Sequence, residues 1–188
     1  MSIIVSISGK AESGKDMTAS IIKEILEKKG KRACIIHYAD YLKFICEKYL
    51  GWNGQKDEAG RSFLQHEGTD HIRSIDEDNL IEVAGNFINL YHHKFDYFLI
   101  PDTRFPRECD WFRYNPDVKH TSLRIVRLNH ISSLTEAQLS HCSETALDSY
   151  VFDAVIESES GIENLEKKVS EWIDSILTPL ERYGADNE

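Results

Sequence analysis

The scarcities in this sequence bound it first. No apolar run approaches the roughly 20 residues that span a bilayer, and no secretory leader pattern opens the chain. No membrane role is expected. The four cysteines, Cys34, Cys46, Cys109 and Cys142, lack CxxC or metal-ligand spacing, and read as free thiols in a reducing cytoplasm. Positive charge is short: 22 Lys and Arg face 32 Asp and Glu, for a net charge of −10 and a pI near 5.3. That balance argues against a general binder of nucleic-acid polymers, which would show a basic surface. An anionic substrate would have to be met by local cations against the field of the whole chain. From Leu128 to Val151 there is no Lys or Arg at all. Repeats and low-complexity segments are absent.

What is present suits one globular domain: 188 residues, 41% hydrophobic and 29% charged. The most informative stretch is Gly9-Lys10-Ala11-Glu12-Ser13-Gly14-Lys15-Asp16, directly after the apolar run Ile3-Ile4-Val5-Ser6-Ile7. A strand, a glycine-rich turn and a lysine opening a helix make a phosphate-binding P-loop. The glycines let successive N–H groups converge on one anion. The helix adds its positive end, and Lys15 adds a full charge that reaches the β- and γ-phosphates. The usual Ser or Thr after the lysine is Asp16, and Thr18 is offset so that it faces another way. The plainer alternative is an ordinary strand-to-helix turn.

Strand and helix patterns alternate along the rest. A helix is expected over Lys15–Lys29, stopped by Gly30, then a strand over Ala33–His37 and a helix over Asp40–Leu50. Residues 51–60 read as a polar connection. A helix over Arg61–Arg73, interrupted at Gly68, precedes Ser74-Ile75-Asp76-Glu77, whose spacing is that of a capping box opening a helix to His93. Strands are expected at Phe95–Pro101, Leu123–Leu128 and Phe152–Glu157. Ser160–Glu163 gives a second capping box before a last helix carrying Leu165, Val169, Trp172 and Ile176, and the chain from Thr178 reads as a loose tail. Such alternation implies βαβ crossovers and a mainly parallel sheet covered on both faces. Ligands then bind at the carboxyl ends of the strands, which gathers the scattered polar residues into one candidate site.

Asp102, at the end of the run Phe95–Pro101, has the layout of an acid that holds Mg²⁺ beside a P-loop; a solvated turn residue is the alternative. Arg104 can grip a phosphate with two nitrogens. Arg107 and Glu108 read equally as a surface pair. Asp40 and Lys43 either line an acceptor pocket or, for Asp40, cap the next helix. Gln65, Gly68, Thr69, Asp70 and Arg73 form a polar stripe in which Gln65 can read a base edge and Arg73 can reach a phosphate, or a solvated helix face. His130 and His141 lack the spacing of a metal pair, and the three tryptophans read as packing residues.

Taken in order, Gly9–Thr18, Ala39-Asp40-Tyr41-Leu42-Lys43, Leu64–Asp70, Asp102-Thr103-Arg104-Phe105-Pro106-Arg107-Glu108 and Ser143–Asp153 resemble the deoxynucleoside monophosphate kinase family of phages and bacteria. In that family, too, Asp follows the P-loop lysine. The resemblance implies a three-layer α/β/α P-loop NTPase fold over residues 1–178, with a five-stranded parallel sheet, a small lid near 128–150 and a tail over 179–188. It implies ATP as donor on Gly9 through Met17, and Mg²⁺ held by Asp16 and Asp102. A nucleoside monophosphate would lie across the cleft against Asp40, Lys43, Gln65, Arg73 and Arg104. Lys15, Asp102, Arg104 and Arg127 would carry catalysis. The lid departs from better-known monophosphate kinases in having no arginine after Arg127. Either Arg104, Arg107, Arg124 and Arg127 supply that charge, or catalysis is weak. A kinase of another small phosphorylated metabolite, such as dephospho-coenzyme A, and a weakly active nucleotide sensor are the rival readings. Nucleotides are the expected partners; self-association into a homodimer stays open.

Overall fold

The computed structural model describes residues 1–115, 118–129, 132–159, 161–177 and 179–180. Strands β1 (Ile3–Ser8), β2 (Ala33–Ile35), β3 (Tyr97–Ile100), β4 (Lys119–Arg127) and β5 (Ala154–Ser158) pair in parallel in the order β2-β3-β1-β4-β5. Helices α1 (Lys15–Lys28) and α2 (Ala39–Tyr49) follow β1 and β2. Next, α3 (Glu58–Gln65) runs on as a π-helical stretch, His66–Ile72, into one last turn, α4 (Arg73–Ile75). Helices α5 (Asn79–Tyr91) and α6 (Pro106–Arg113) flank β3. Two short helices, α7 (Glu136–Ser140) and α8 (Cys142–Thr145), lie between β4 and β5, and α9 (Ile162–Trp172) follows β5.

A strand covered on both faces must be apolar on both. Every residue of β1 is buried, and its alternate side chains enter different cores. Ile3, Val5 and Ile7 join Ala19, Ile22 and Leu26 of α1 and Leu165, Val169 and Trp172 of α9. Ile4 joins Leu42 and Cys46 of α2, Leu80, Ile81 and Ile88 of α5, and Phe112 of α6. β3 divides in the same way, Tyr97 and Leu99 against Phe98 and Ile100. This is the expected three-layer α/β/α arrangement. The chain steps from β1 outward to β2, returns through β3, and then passes β1 to reach β4. The direction of winding therefore reverses at β1 and opens a crevice at its carboxyl end.

Several local expectations are corrected. The helix at 61–73 begins earlier and is not broken at Gly68; it widens into the π-helical stretch. That continuation carries helix past Ser74, whose hydroxyl donates back to His71 O at 2.7 Å, so the 74–77 capping box does not form and α5 starts at Asn79. β4 begins at Lys119, four residues earlier than its apolar pattern suggests. Its polar residues Thr121 and Ser122 are nevertheless buried. Helices α6, α7 and α8 were not expected. Ser160, and with it the second capping box, lies outside the described residues, as do His130, Thr178 and 181–188. Leu180, inside the expected tail, packs against the core on the α1–α9 side. No helix among the described residues is long and apolar enough to cross a membrane.

The buried polar start of β4 is paired by one acid. Asp153, just before β5, accepts from Ser122 N at 2.7 Å, Ser122 Oγ at 2.8 Å and Arg113 Nη2 at 3.0 Å. Ala154 is the first β5 residue in register, opposite Leu123, so the Asp153 side chain extends the ladder by one step. Asp153→Ala orphans the Ser122 amide and is expected to cost about 1.5–3 kcal/mol, read by denaturant unfolding; an unchanged midpoint would contradict this role.

Candidate functional site

A cavity of about 350 Å³ opens at the carboxyl edge of β1 and β3. Its walls are the loop after β1, the start of α2, the inner side of α3 and its π-helical extension, the turn after β3, and part of the segment between β4 and β5. Lys15, Lys43, Lys56, Arg61, Arg73 and Arg104 all line it. An acidic chain has thus gathered local cations around one hollow, as an anionic ligand would require.

The loop after β1 is tightly wound. A Cβ at Gly9 would lie 2.5 Å from both Ile125 O and Ser13 Oγ, so only glycine fits. Gly14 is uncrowded but has φ 95°, and Glu12 adopts φ 61° despite its side chain. Lys15 opens α1, is buried, and donates to Lys10 O at 2.7 Å. Burial, reinforced by the charge of Arg104, pushes its ammonium down to about 8. Thr18 is fully buried and donates back to Gly14 O at 3.0 Å, so it faces away as expected. Met17 is exposed and outside the cavity wall.

The acids have distinct roles. Asp102 lines the cavity, and its two oxygens accept from Tyr38 N and Ala39 N, each at 3.0 Å. It caps α2 from across the fold rather than standing as a solvated turn residue. Asp40 does not take that cap. Its carboxylate accepts from His37 N at 3.1 Å and from Lys43 at 3.2 Å, and it stands outside the cavity wall that Lys43 joins. Asp16 lies 3.0 Å from His37 Nε2, and both line the cavity. No cluster of three His, Cys, Asp or Glu among the described residues is arranged to hold a metal on its own; Asp16 and Asp102 share the wall with Lys15. His141 bonds Ser143, its Nδ1 accepting from the amide at 3.2 Å.

Among the arginines, Glu108 is the organiser that sequence reasoning missed. It is 1% exposed, not half of a surface pair. It accepts from Arg73 Nη2 at 2.5 Å, Arg104 N at 2.6 Å and Phe105 N at 3.1 Å. The available signal was Pro106 as a first helical residue with Glu108 two places on, a capping arrangement. Arg107 is indeed a surface residue, but its partner is Asp78 at 2.7 Å. Arg73 also donates to Gly68 O at 3.0 Å and lies over the Phe105 ring at 4.6 Å. Gln65 shares the same wall. The Arg104 guanidinium pairs with Glu144, not Glu108. Arg127 is exposed, donates to Glu12 O at 3.3 Å and does not line the cavity. Arg124 pairs with Asp148 at 3.0 Å, also outside the wall.

No family model and no curated protein matches this sequence. Among solved structures, APE1195 aligns with TM-score 0.51 at 15% identity, covering 95% of this chain and 97% of its own. The Mycobacterium tuberculosis APS kinase in complex with AMPPNP and APS aligns with TM-score 0.49 at 12% identity, over 93% of this chain and 98% of its own. A sugar kinase from Janibacter sp. aligns with TM-score 0.49 at 11% identity, over 94% and 96%. At such identities likeness concerns the fold alone. The APE1195 likeness agrees with the three-layer α/β/α fold that the sheet order and the glycine-rich loop after β1 describe.

The His37–Asp16 pair has a measurable signature. The hydrogen bond from Asp16 is the main influence raising His37 above its ordinary 6.5, and the same bond holds Asp16 below 3.8. The His37 contribution to stability is therefore full below pH 6.5 and fades as pH rises through its folded value. The Asp16 contribution is full above pH 3.8 and is lost as pH falls through its own folded value. In metal-free protein, NMR titration should place His37 above 6.5, and Asp16→Asn should bring it back toward that figure; a His37 value unmoved by Asp16→Asn would contradict the pair.

Proposed function

We propose that this chain transfers the γ-phosphoryl group of ATP to a nucleoside monophosphate, a deoxynucleotide in the preferred reading, in the cytoplasm. The observation that carries the reading is the doubling of anion-binding chemistry across one cavity. The cavity is lined by the P-loop with its buried lysine, by Arg104 beside it, and by Lys43 and Arg73 with the amide of Gln65. A phosphate donor and a phosphate-bearing acceptor can then share it.

Phosphoryl transfer needs positioning and neutralisation of charge more than covalent help. The amides of Glu12–Lys15 and the ammonium of Lys15 hold the donor phosphates. Arg73 and Lys43 hold the acceptor phosphate, and Gln65 reads its base. Arg104 stands between the two and meets the charge that develops on the transferred group. Asp16 and Asp102 are hard oxygen donors on the donor side of the wall, a set that suits Mg²⁺, which supplies neutralisation of the phosphate oxygens when bound. Asp102 caps α2 at the same time, so one carboxylate joins the metal side to the acceptor side. Asp40 steadies His37 and Lys43 from outside the wall, and Arg127 steadies the P-loop through Glu12 O. The segment over 128–150 acts as the lid. The same cavity lining admits another small phosphorylated metabolite as acceptor.

A coupled ADP-release assay over a panel of ribo- and deoxyribonucleoside monophosphates, with dephospho-coenzyme A included, decides among these acceptors. No turnover with any monophosphate would overturn the reading. Lys15→Ala is expected to lower turnover about 100–1,000-fold with the fold intact; near-normal turnover would remove the P-loop from the chemistry. Arg104→Lys is expected to lower both kcat and kcat over acceptor KM while ATP affinity holds, because an ammonium cannot reproduce the two-nitrogen grip. Unchanged acceptor kinetics would take Arg104 out of the site.

A further inference from the structure

Resting on the phosphoryl-transfer reading above, we propose that Glu144 is a positioning residue for Arg104: the acidic segment between β4 and β5 acts on the reaction through a carboxylate that aims a core arginine. The segment has no cation of its own from Leu128 to Val151. Its acids instead hold cations of the core. Glu144 comes from α8, and its side chain is 2% exposed. A carboxylate buried to that degree is tolerated only when both oxygens are matched. One oxygen pairs with Arg104 Nη1, and the other accepts from Ala11 N at 2.8 Å. A single carboxylate thereby joins the P-loop backbone to the arginine after β3.

The bridge sets the plane of the guanidinium. Ser143 O accepts from the same Nη1 at 3.2 Å, so two neighbouring acceptors hold one corner of a rigid fork. The backbone of Arg104 is held from the other side by Glu108. Because Arg104 lines the cavity, the rest of the fork is what an anion there meets. Glu144 also acts on Lys15, where its charge opposes part of the repulsion that Arg104 exerts.

The position of Glu144 is fixed by further bonds. Lys10 Nζ donates to Glu144 O and to Asp148, each at 2.7 Å. Arg124 Nη1 donates to Leu147 O at 2.9 Å. Glu12 accepts from Ser133 N at 3.0 Å. Among the described residues, acids of the segment meet cations of the core at Glu144 with Arg104, at Asp148 with Lys10 and Arg124, and at Asp153 with Arg113. Only the first pair faces the cavity.

The test compares wild type, Glu144→Gln, Arg104→Ala and the double variant. Glu144→Gln conserves shape and removes charge, so it keeps the fold measurable. For Glu144→Gln the expected result is an AMPPNP affinity within about threefold of wild type and kcat over acceptor KM lower by about tenfold to 100-fold. Its loss should largely disappear when Arg104 is already Ala. Losses that multiply in the double variant would overturn the proposal. So would AMPPNP affinity raised about tenfold or more with acceptor kinetics unchanged, because the carboxylate would then be a plug in the P-loop. A readout independent of turnover is the Arg104 Nη1–H₂ resonance, assigned through Arg104→Ala, since both Glu144 and Ser143 O accept from that nitrogen. It should be resolved from the other Nη group in wild type and averaged or broadened in Glu144→Gln; an unmoved resonance overturns the proposal. If no monophosphate is turned over by wild type, the functional reading fails, and this resonance still decides whether Glu144 holds Arg104.

Discussion

The turn from β1 into α1 is the constraint on which the rest of the site depends. The strand is buried on both faces, the chain must reverse within a few residues, and the space at Gly9 is closed to any Cβ. Only a backbone so wound brings Lys15 to the first turn of α1 beneath the crevice where strand order reverses. Once that position is set, each later crossover delivers its own polar residues to the same edge. The site is an outcome of parallel topology rather than of neighbouring sequence.

Carboxylates organise what surrounds the loop, Glu108 and Glu144 from full burial and Asp102 and Asp153 from more open positions. Asp102 caps α2, Glu108 joins Arg73 to the turn after β3, Glu144 joins Arg104 to the P-loop, and Asp153 completes the edge of β4. Each accepts from backbone N–H groups, from an arginine, or from both, so none is left as an unmatched buried charge. This explains how a chain with net charge −10 presents a cavity rich in cations. Glu108 and Glu144 each hold an arginine, Arg73 and Arg104, that lines the hollow. The same arrangement ties stability to the site, since the groups that hold helix ends and loops are those that set the arginines.

Elements with a simple period were legible. β1, α1, β3 and α9 follow their apolar patterns closely, because each buries a face or both faces that the sequence must supply. Elements held by polar contacts were not. The first half of β4 reads as polar, yet it is a buried strand because Ser122 meets Asp153 across 31 residues. Ser74 has the spacing of a cap, yet it lies inside α4, which continues from the π-helical stretch, and its hydroxyl points backward to His71 O. In the site, Lys15, Lys43, Gln65, Arg73, Asp102 and Arg104 line one cavity, while Asp40, Met17 and Arg127 stand outside its lining. Glu108 read as half of a surface pair and Glu144 drew no role of its own, because in sequence either resembles any solvated surface acid.

By itself the sequence determined the layered parallel sheet, the glycine-rich loop and its lysine, and the edge of the sheet where the candidate site gathers. These follow from local periodicity, from glycine geometry and from the rule that ligands lie beyond the carboxyl ends of parallel strands. Tertiary structure alone decided which acid meets which cation. Arg104 has Glu108 four residues away, yet its guanidinium pairs with Glu144, 40 residues distant, while Glu108 takes Arg73 from 35 residues away. The physical reason is burial: a carboxylate withdrawn from water binds whichever donors the fold brings within hydrogen-bonding reach, and sequence separation plays no part in that selection.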